Sequence, residues 1–175
     1  MINYTLLEFD SLNSTSNFLR ENHPYFPHMT IIRVNHQTQG RGQFDRQWES
    51  KPNQNLLFSI LLKDINVSKS YEIKSWIKTS LMNFLFKQGI DVTFKEPNDL
   101  YVSNKKICGI LIETQTSSAN FDYVVIGIGV NINQDTFEFS GATSLFLETR
   151  RIMDLHDLFI KLLAELMIEY EKFGL

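Results

Sequence analysis

The residues best suited to chemistry in this chain gather in one stretch, Gln37-Thr38-Gln39-Gly40-Arg41-Gly42-Gln43-Phe44-Asp45-Arg46-Gln47-Trp48. Arg41 and Arg46 are permanent cations whose forked donors match carboxylate or phosphate oxygens. Gly40 and Gly42 let the backbone take a positive φ or come close to a ligand. A glycine-rich loop carrying two arginines can close over a small anion. A β-hairpin loop with two solvated arginines has the same letters, so the residue types alone leave both readings open. Apolar runs at 29–34 and 56–62 read as the strands that hold the loop.

Other stretches carry polar groups at informative places. Ser14 or Ser16 caps a short helix over 15–22. Hydroxyls and free N–H groups at a helix start also suit a polar head group. Lys95-Glu96-Pro97-Asn98-Asp99 reads as a turn in which Pro97 biases Glu96 to extended backbone. Charges in such a turn are ordinarily solvated. Lys106 opens the second strand of a hairpin formed by 100–102 and 106–113. Strict alternation places Lys106, Cys108, Ile110 and Ile112 on one face and Ile107, Gly109 and Leu111 on the other. Gly127-Ile128-Gly129 lies in a long apolar strand over 121–132. It lacks the helix pattern, third glycine and downstream acid that a dinucleotide-binding fingerprint requires, which excludes that reading. Small residues at alternate strand positions instead leave room beside the sheet for a flat or extended ligand.

The remaining elements position these groups. A strand is expected over 3–9. A helix over 69–88 starts at Ser68 or Ser70 and stops at Gly89, with Ile73, Trp76, Ile77, Leu81, Phe84 and Leu85 at helical spacing. Trp76 therefore belongs to the core. Residues 91–94 form a short strand, and 133–144 read as a flexible segment. Asp154, with Asp157 three residues on, starts a last helix whose apolar stripe runs from Leu155 to Tyr170. Strands and helices in this mixed order imply an α+β domain, with helices packed on one face of a mixed, largely antiparallel sheet.

Composition sets bounds. The chain has 175 residues, 43% of them hydrophobic, which suits one domain with a sizeable core. A net charge of −3 argues against non-specific nucleic-acid binding. Cys108 is the single cysteine, so an internal disulfide and a multi-cysteine zinc site are excluded. No apolar run nears the ~20 residues of a membrane span, and no signal peptide is present, so a cytoplasmic location is expected. His23 and His28 lack metal-like companions.

Four blocks in order resemble the biotin protein ligase family, over roughly residues 8 to 146. Gln39-Gly40-Arg41-Gly42 with Arg46-Gln47-Trp48 resembles its ligand loop, and Ser14-Thr15-Ser16 its Ser-Thr-Asn block. Lys95-Glu96-Pro97-Asn98-Asp99 resembles its Lys-Trp-Pro-Asn-Asp block, and Lys106, Gly109-Ile110-Leu111 and Glu113 extend that match downstream. Gly127-Ile128-Gly129-Val130-Asn131 resembles the Gly-x-Gly-x-Asn strand end.

The resemblance implies the fold shared by biotin and lipoate ligases and class II aminoacyl-tRNA synthetases. It implies an ATP-dependent biotin–[acetyl-CoA-carboxylase] ligase that forms biotinyl-5′-AMP. The enzyme would then transfer biotin to a lysine of a biotin carboxyl carrier protein. Ser14, Thr15, Ser16, Gln37, Gly40, Arg41, Gly42, Gln43, Gly109 and Leu111 are implied to surround biotin. Lys106 would sit at its carboxyl group and the phosphate. Arg41, Arg46, Trp48, Lys95, Asn98, Lys106 and Asn131 are implied on the ATP side. Arg41, Lys95 and Lys106 would neutralise charge, and Asp99 would orient the acceptor amine. Mg²⁺ accompanies ATP, with no residue singled out as its ligand. Segment 133–144 matches the part of the family that folds over the nucleotide.

Three positions depart from the pattern. Glu96 replaces a Trp and sets an anion beside Lys95, either orienting that lysine or weakening ATP binding. Gln43 stands where an Arg is common, and Asp45 where a Gly is common. A loop with one cation fewer predicts slower adenylation or a leakier intermediate. Neither an N-terminal helix-turn-helix nor a C-terminal β-barrel is expected, so 1–175 reads as a single catalytic domain without a DNA partner. Two other readings stand beside the ligase: a lipoate or octanoate transferase of the same fold, and a degenerate biotin-binding module without catalysis.

Overall fold

The structure, a computed structural model, describes residues 2–44 and 46–175. Its strands are β1 (Thr5–Leu12), β2 (Thr30–Gln37), β3 (Asn55–Leu62), β4 (Thr93–Lys95), β5 (Asp99–Val102), β6 (Lys105–Thr116) and β7 (Phe121–Asn131). They form one sheet in the order β1-β2-β3-β7-β6-β5-β4. The β1–β2 pair is parallel and its connection carries helix α1 (Thr15–Asn22), since a parallel pair needs a crossover. The other neighbouring pairs are antiparallel. The α+β class and the largely antiparallel sheet agree with the sequence.

Successive strand side chains point to opposite faces, so β3 and β7, buried along their length, feed two layers. On one face Phe58, Ile60, Ile126 and Ile128 pack beneath α2 (Ser70–Lys87) and, through Phe159, Leu162 and Leu166, a long C-terminal helix. Trp76 is fully buried there; its indole N–H donates to the Leu166 carbonyl at 2.7 Å. The short helix α1 occupies the opposite face instead, with Leu19 against Ile32, Leu61 and Val125. The expectation of helices on one face thus holds for the two long ones only. Moving α1 to the other layer sets its N-terminus beside the glycines of β7.

Local signals explain the boundaries. Ser14 caps α1, its hydroxyl accepting from Asn17 N. Gly89, at φ +87°, ends α2 in the left-handed conformation. The start of α2 differs from expectation: neither Ser68 nor Ser70 caps it. A single 3₁₀ turn, Val67–Lys69, leads in, capped by Asn66, and Ser70 Oγ donates back to Val67 O at 2.6 Å. A short helix, α3 (Leu145–Thr149), comes after Ser144, and α4 (Leu155–Lys172) starts where Asp154 accepts from Asp157 N at 2.8 Å. Cys108 is buried in the core, and burial pushes its thiol well above the ordinary range. No helix among the described residues is long and apolar enough to cross a membrane.

One irregularity decides a side chain's face. In the β5–β6 pair Tyr101 faces Lys106, yet Leu100 faces Cys108, so Ile107 is an extra residue in β6. Strict alternation had put Lys106 with Cys108. The bulge turns Lys106 onto the Gly109 and Leu111 face, while Ile107 and Cys108 both enter the core.

Candidate active site

Residues paired directly across strands point to the same face. The register therefore lays Lys95, Asp99, Gly109, Gly129 and Leu57 in one transverse row on the α1 side of the sheet. A second row runs Leu111, Gly127, Ser59, Ile32. Over these rows lies a cavity of about 600 Å³, a size that suits a small organic ligand. Helix α1 and the glycine loop wall it on one side, and residues 137–142 on another.

The strand glycines make room for protein side chains as well as for a ligand. A Cβ on Gly129 would stand 2.4 Å from the Trp48 ring, one on Gly109 2.7 Å from it, and one on Gly127 2.3 Å from Ser16 Oγ. Trp48 thus lies flat on the sheet and anchors the loop, as an aromatic after a turn commonly does. The loop itself is a small hairpin, with Gly42 N donating to Arg46 O at 2.7 Å and Trp48 N to Gly40 O at 2.9 Å. Asp45 lies outside the described residues.

At the α1 end, polar groups hold one another. Gln37 Oε1 accepts from Thr15 N at 2.8 Å and from its hydroxyl at 3.1 Å. Ser59 Oγ lies 2.7 Å from Thr15 Oγ1 and 2.9 Å from Ser16 Oγ. Ser14, Thr15 and Ser16 are buried and, with Gln37, line the cavity. Arg41 reaches across from the loop to Asn17 and Glu113.

At the other end the groups are charged. Lys106 Nζ is 2.8 Å from Asp99 and 5.4 Å from the centre of the Trp48 ring. Tyr101 lines the cavity beside them, and the Lys95 ammonium lies 4.8 Å from its ring centre. Burial, then the Asp99 carboxylate, raise the Tyr101 hydroxyl above its ordinary value, with Arg46 opposing. Among the described residues, two buried polar atoms of the cavity lining, Trp48 Nε1 and Asn131 Oδ1, have no hydrogen-bond partner. One can donate to a bound molecule and the other can accept from it.

The residues singled out from the sequence are mostly brought together. Arg41, Gly42, Gln43, Arg46, Trp48, Asp99, Lys106, Gly109, Leu111 and Asn131 line the cavity with the α1 residues. Lys95 stands one strand out on the same face, at the rim. Gly40 and Asn98 are not lining residues: Gly40 lets the loop pass against Trp48 O, and Asn98 O accepts from Ile110 N at 3.0 Å. Glu96 does not orient Lys95; its carboxylate pairs with Lys74 of α2 at 2.6 Å. Among the described residues no three His, Cys, Asp or Glu side chains cluster as a metal site.

Segment 133–144 is tied down rather than loose. Asn133 exchanges hydrogen bonds with the Met153 backbone, at 2.9 and 2.8 Å. Buried Gln134 accepts from Asn55 Nδ2 and Lys51 N and donates to Glu49, linking the segment to the chain just after the glycine loop. Its far end runs beside β6, Lys106 N donating to Gly141 O at 2.7 Å.

Residues 7–131 match the model of the biotin/lipoate A/B protein ligase family. The chain belongs to that family. It is 31% identical over 137 residues to the bifunctional ligase/repressor BirA of Bacillus subtilis, covering 77% of this chain and 42% of the relative. Over 126 residues it is 25% identical to a biotin–[acetyl-CoA-carboxylase] ligase of Mycobacterium tuberculosis, covering 66% of this chain and 44% of that one. The fold superposes on the biotin protein ligase from Aquifex aeolicus in complex with biotin and ATP, with a TM-score of 0.83 and 28% identity. That match covers 97% of this chain and 71% of the other. This family member spans less than half the length of these two curated relatives.

Several site residues were not picked out from the sequence. Ser59 is a lone hydroxyl in the apolar run Leu-Leu-Phe-Ser-Ile-Leu-Leu, and that isolation was a usable signal. Tyr101 sits in a hairpin position whose facing depends on the bulge and the strand register. Phe137, Phe139 and Ala142 had no local signal, because pairing with β6 brings them to the cavity.

Proposed function

We propose that this domain joins biotin to AMP and then passes it to a lysine of an acceptor protein. The observation that supports this best is the polarity of the cavity. A hydroxyl-and-amide end, built by Ser14, Thr15 and Gln37, faces a charged end built by Lys106 and Asp99, with Lys95 at its rim, and Trp48 lies on the strand glycines between them. A ureido ring carries one carbonyl acceptor and two N–H donors, which the first end can answer. A side-chain carboxylate and a phosphate need the cations of the second.

The first step brings two anions together. A carboxylate oxygen attacks the α-phosphorus of ATP, the phosphoanhydride bond breaks, and pyrophosphate leaves. Lys106, Arg41 and Lys95 lower the repulsion and stabilise charge on the phosphate as it builds. Arg46 adds a further cation from the loop. Mg²⁺ would accompany ATP and share in neutralising the triphosphate. Asn131 Oδ1 and Trp48 Nε1 supply polar contacts to the adenylate. In the second step the acceptor amine attacks the acyl carbon, an amide forms, and AMP leaves. Asp99 orients that amine and accepts the proton it loses as the amide forms; its carboxylate lies 2.8 Å from the Lys106 ammonium. A loop held over the cavity keeps water from the anhydride. The acceptor in this reading is a biotin carboxyl carrier domain.

The test is pyrophosphate release from purified protein with Mg-ATP and either biotin or lipoate, with and without an acceptor domain, together with the mass of the acceptor afterwards. Biotin-dependent release with a biotin-sized gain on one lysine supports the reading. Activity with lipoate and none with biotin replaces it with the lipoate branch of the family. Binding of biotin without release replaces it with a binding module.

A further inference from the structure

The proposal rests on the reading above and deepens it. We propose that Glu113, with Asn17, is a positioning residue that clamps the glycine loop to α1 through Arg41 and so sets affinity for biotin.

Gly109, Leu111 and Glu113 alternate along β6, so Glu113 faces the α1 side two residues past Leu111, at the margin of the cavity. It is not a lining residue, and its side chain is 20% exposed. Two guanidinium groups from two other elements converge on it. Arg41 Nη1 of the loop lies 2.9 Å from Glu113 Oε1, and Arg20 Nη1 of α1 lies 3.3 Å from the same oxygen. Asn17 Oδ1 accepts from both arginines, at 2.9 Å from Arg41 and 3.2 Å from Arg20.

Two cations this close repel unless an anion lies between them. Without the Glu113 carboxylate, Arg20 and Arg41 would share one neutral acceptor, and the loop arginine is the partner able to leave. The contacts to Glu113 and Asn17 use one nitrogen of an Arg41 side chain that also lines the cavity. The carboxylate therefore acts through Arg41 and touches no substrate. The clamp is local: Glu113 is seven residues along β6 from Lys106, roughly 20 Å at strand spacing. Its effect belongs to the biotin end and to loop closure.

The experiment reads the loop directly, by the rate of trypsin cleavage after Arg46 in ligand-free protein. The variants are Glu113→Gln, Arg41→Ala, the double variant and Asn17→Ala. Glu113→Gln is expected to speed cleavage about fivefold, the scale of a partly exposed ion pair. In the Arg41→Ala background it is expected to add nothing, because the arginine it acts through is gone. Asn17→Ala is expected to speed cleavage in the same direction. Thermal midpoints within a few degrees of the parent show that each variant folds. The biotin dissociation constant of Glu113→Gln is expected to rise about fivefold. Unchanged cleavage in Glu113→Gln, or an equal acceleration with and without Arg41, overturns the clamp. Parent protein that binds no biotin overturns the functional reading instead, while the cleavage cycle still decides the clamp.

Discussion

Gly129→Ala probes the contact on which the loop depends. A Cβ at Gly129 would lie 2.4 Å from Trp48 Cε2 and 2.7 Å from both Cζ2 and Nε1. Carbon atoms rest at about 3.5–4.0 Å, so the ring must withdraw by more than about 1 Å. An indole is rigid and cannot relieve this by bending a far end. Two outcomes are open to the chain. A strained sheet with Trp48 in place costs about 1–3 kcal/mol, the usual range for overpacking. Expelling Trp48 forfeits its packing on Gly109 and Gly129 and releases the loop from the sheet. Both predict a stability loss of about 1–3 kcal/mol, together with weaker biotin binding. Urea denaturation and a biotin titration measure the two effects. Trp48 and Trp76 are the only tryptophans, and Trp76 is fully buried in the opposite layer, so the ligand-dependent change in fluorescence belongs to Trp48. The decisive comparison is the double-mutant cycle with Trp48→Ala. If the clash is the cause, Gly129→Ala costs little in that background. Equal destabilisation with and without the indole would refute the reasoning.

Other perturbations address single links. Asp99→Asn is expected to slow transfer to the acceptor about 100-fold, while biotin-dependent pyrophosphate release changes by less than about threefold; equal losses in both assays would remove Asp99 from the second step. Gln43→Arg adds a cation to the loop and should raise the rate of pyrophosphate release about two- to fivefold, with less free adenylate in a filter-binding assay; no change would show that loop charge does not limit the first step. His23 offers a pH test. Burial, then Lys63, hold its imidazole below the ordinary value, against the pull of Asp122. As pH falls, the unfolded chain takes up this proton first, so stability declines from about pH 6.5 downward until the folded imidazole also protonates. His23→Gln should flatten that part of the plot of melting temperature against pH, and an unchanged slope between pH 7 and 5 would refute the assignment.

Local signals carried much of the architecture. The Ser14 cap, the helix over 15–22, the glycine stop at 89 and the Asp154 start of the last helix each depend on groups within four residues of one another. Such signals survive any tertiary arrangement. The family blocks likewise mark most of the residues that line the cavity, because residue type at fixed spacing is what they record. Charge partners were less legible. Glu96 reads as a neighbour of Lys95 along the chain, yet it pairs with Lys74, which stands on another element. Segment 133–144 reads as flexible from its composition, but Gln134 finds three partners, Lys51, Asn55 and Glu49, that only the folded chain brings within reach.

The order of residues alone therefore specifies most of the elements, most of the chemistry-bearing side chains and the family to which they belong. Packing between elements settles which face each of those side chains takes. A single extra residue in β6 turns Lys106 from the core side to the cavity, since a one-residue shift in a strand inverts every side chain beyond it. The strand glycines, which leave room for a ligand when read in isolation, also receive Trp48 and Ser16 from distant parts of the chain. Glu113 gains its meaning from two arginines on two other elements. Those outcomes arise from register and packing between segments far apart in sequence, and neither periodicity nor local propensity encodes them.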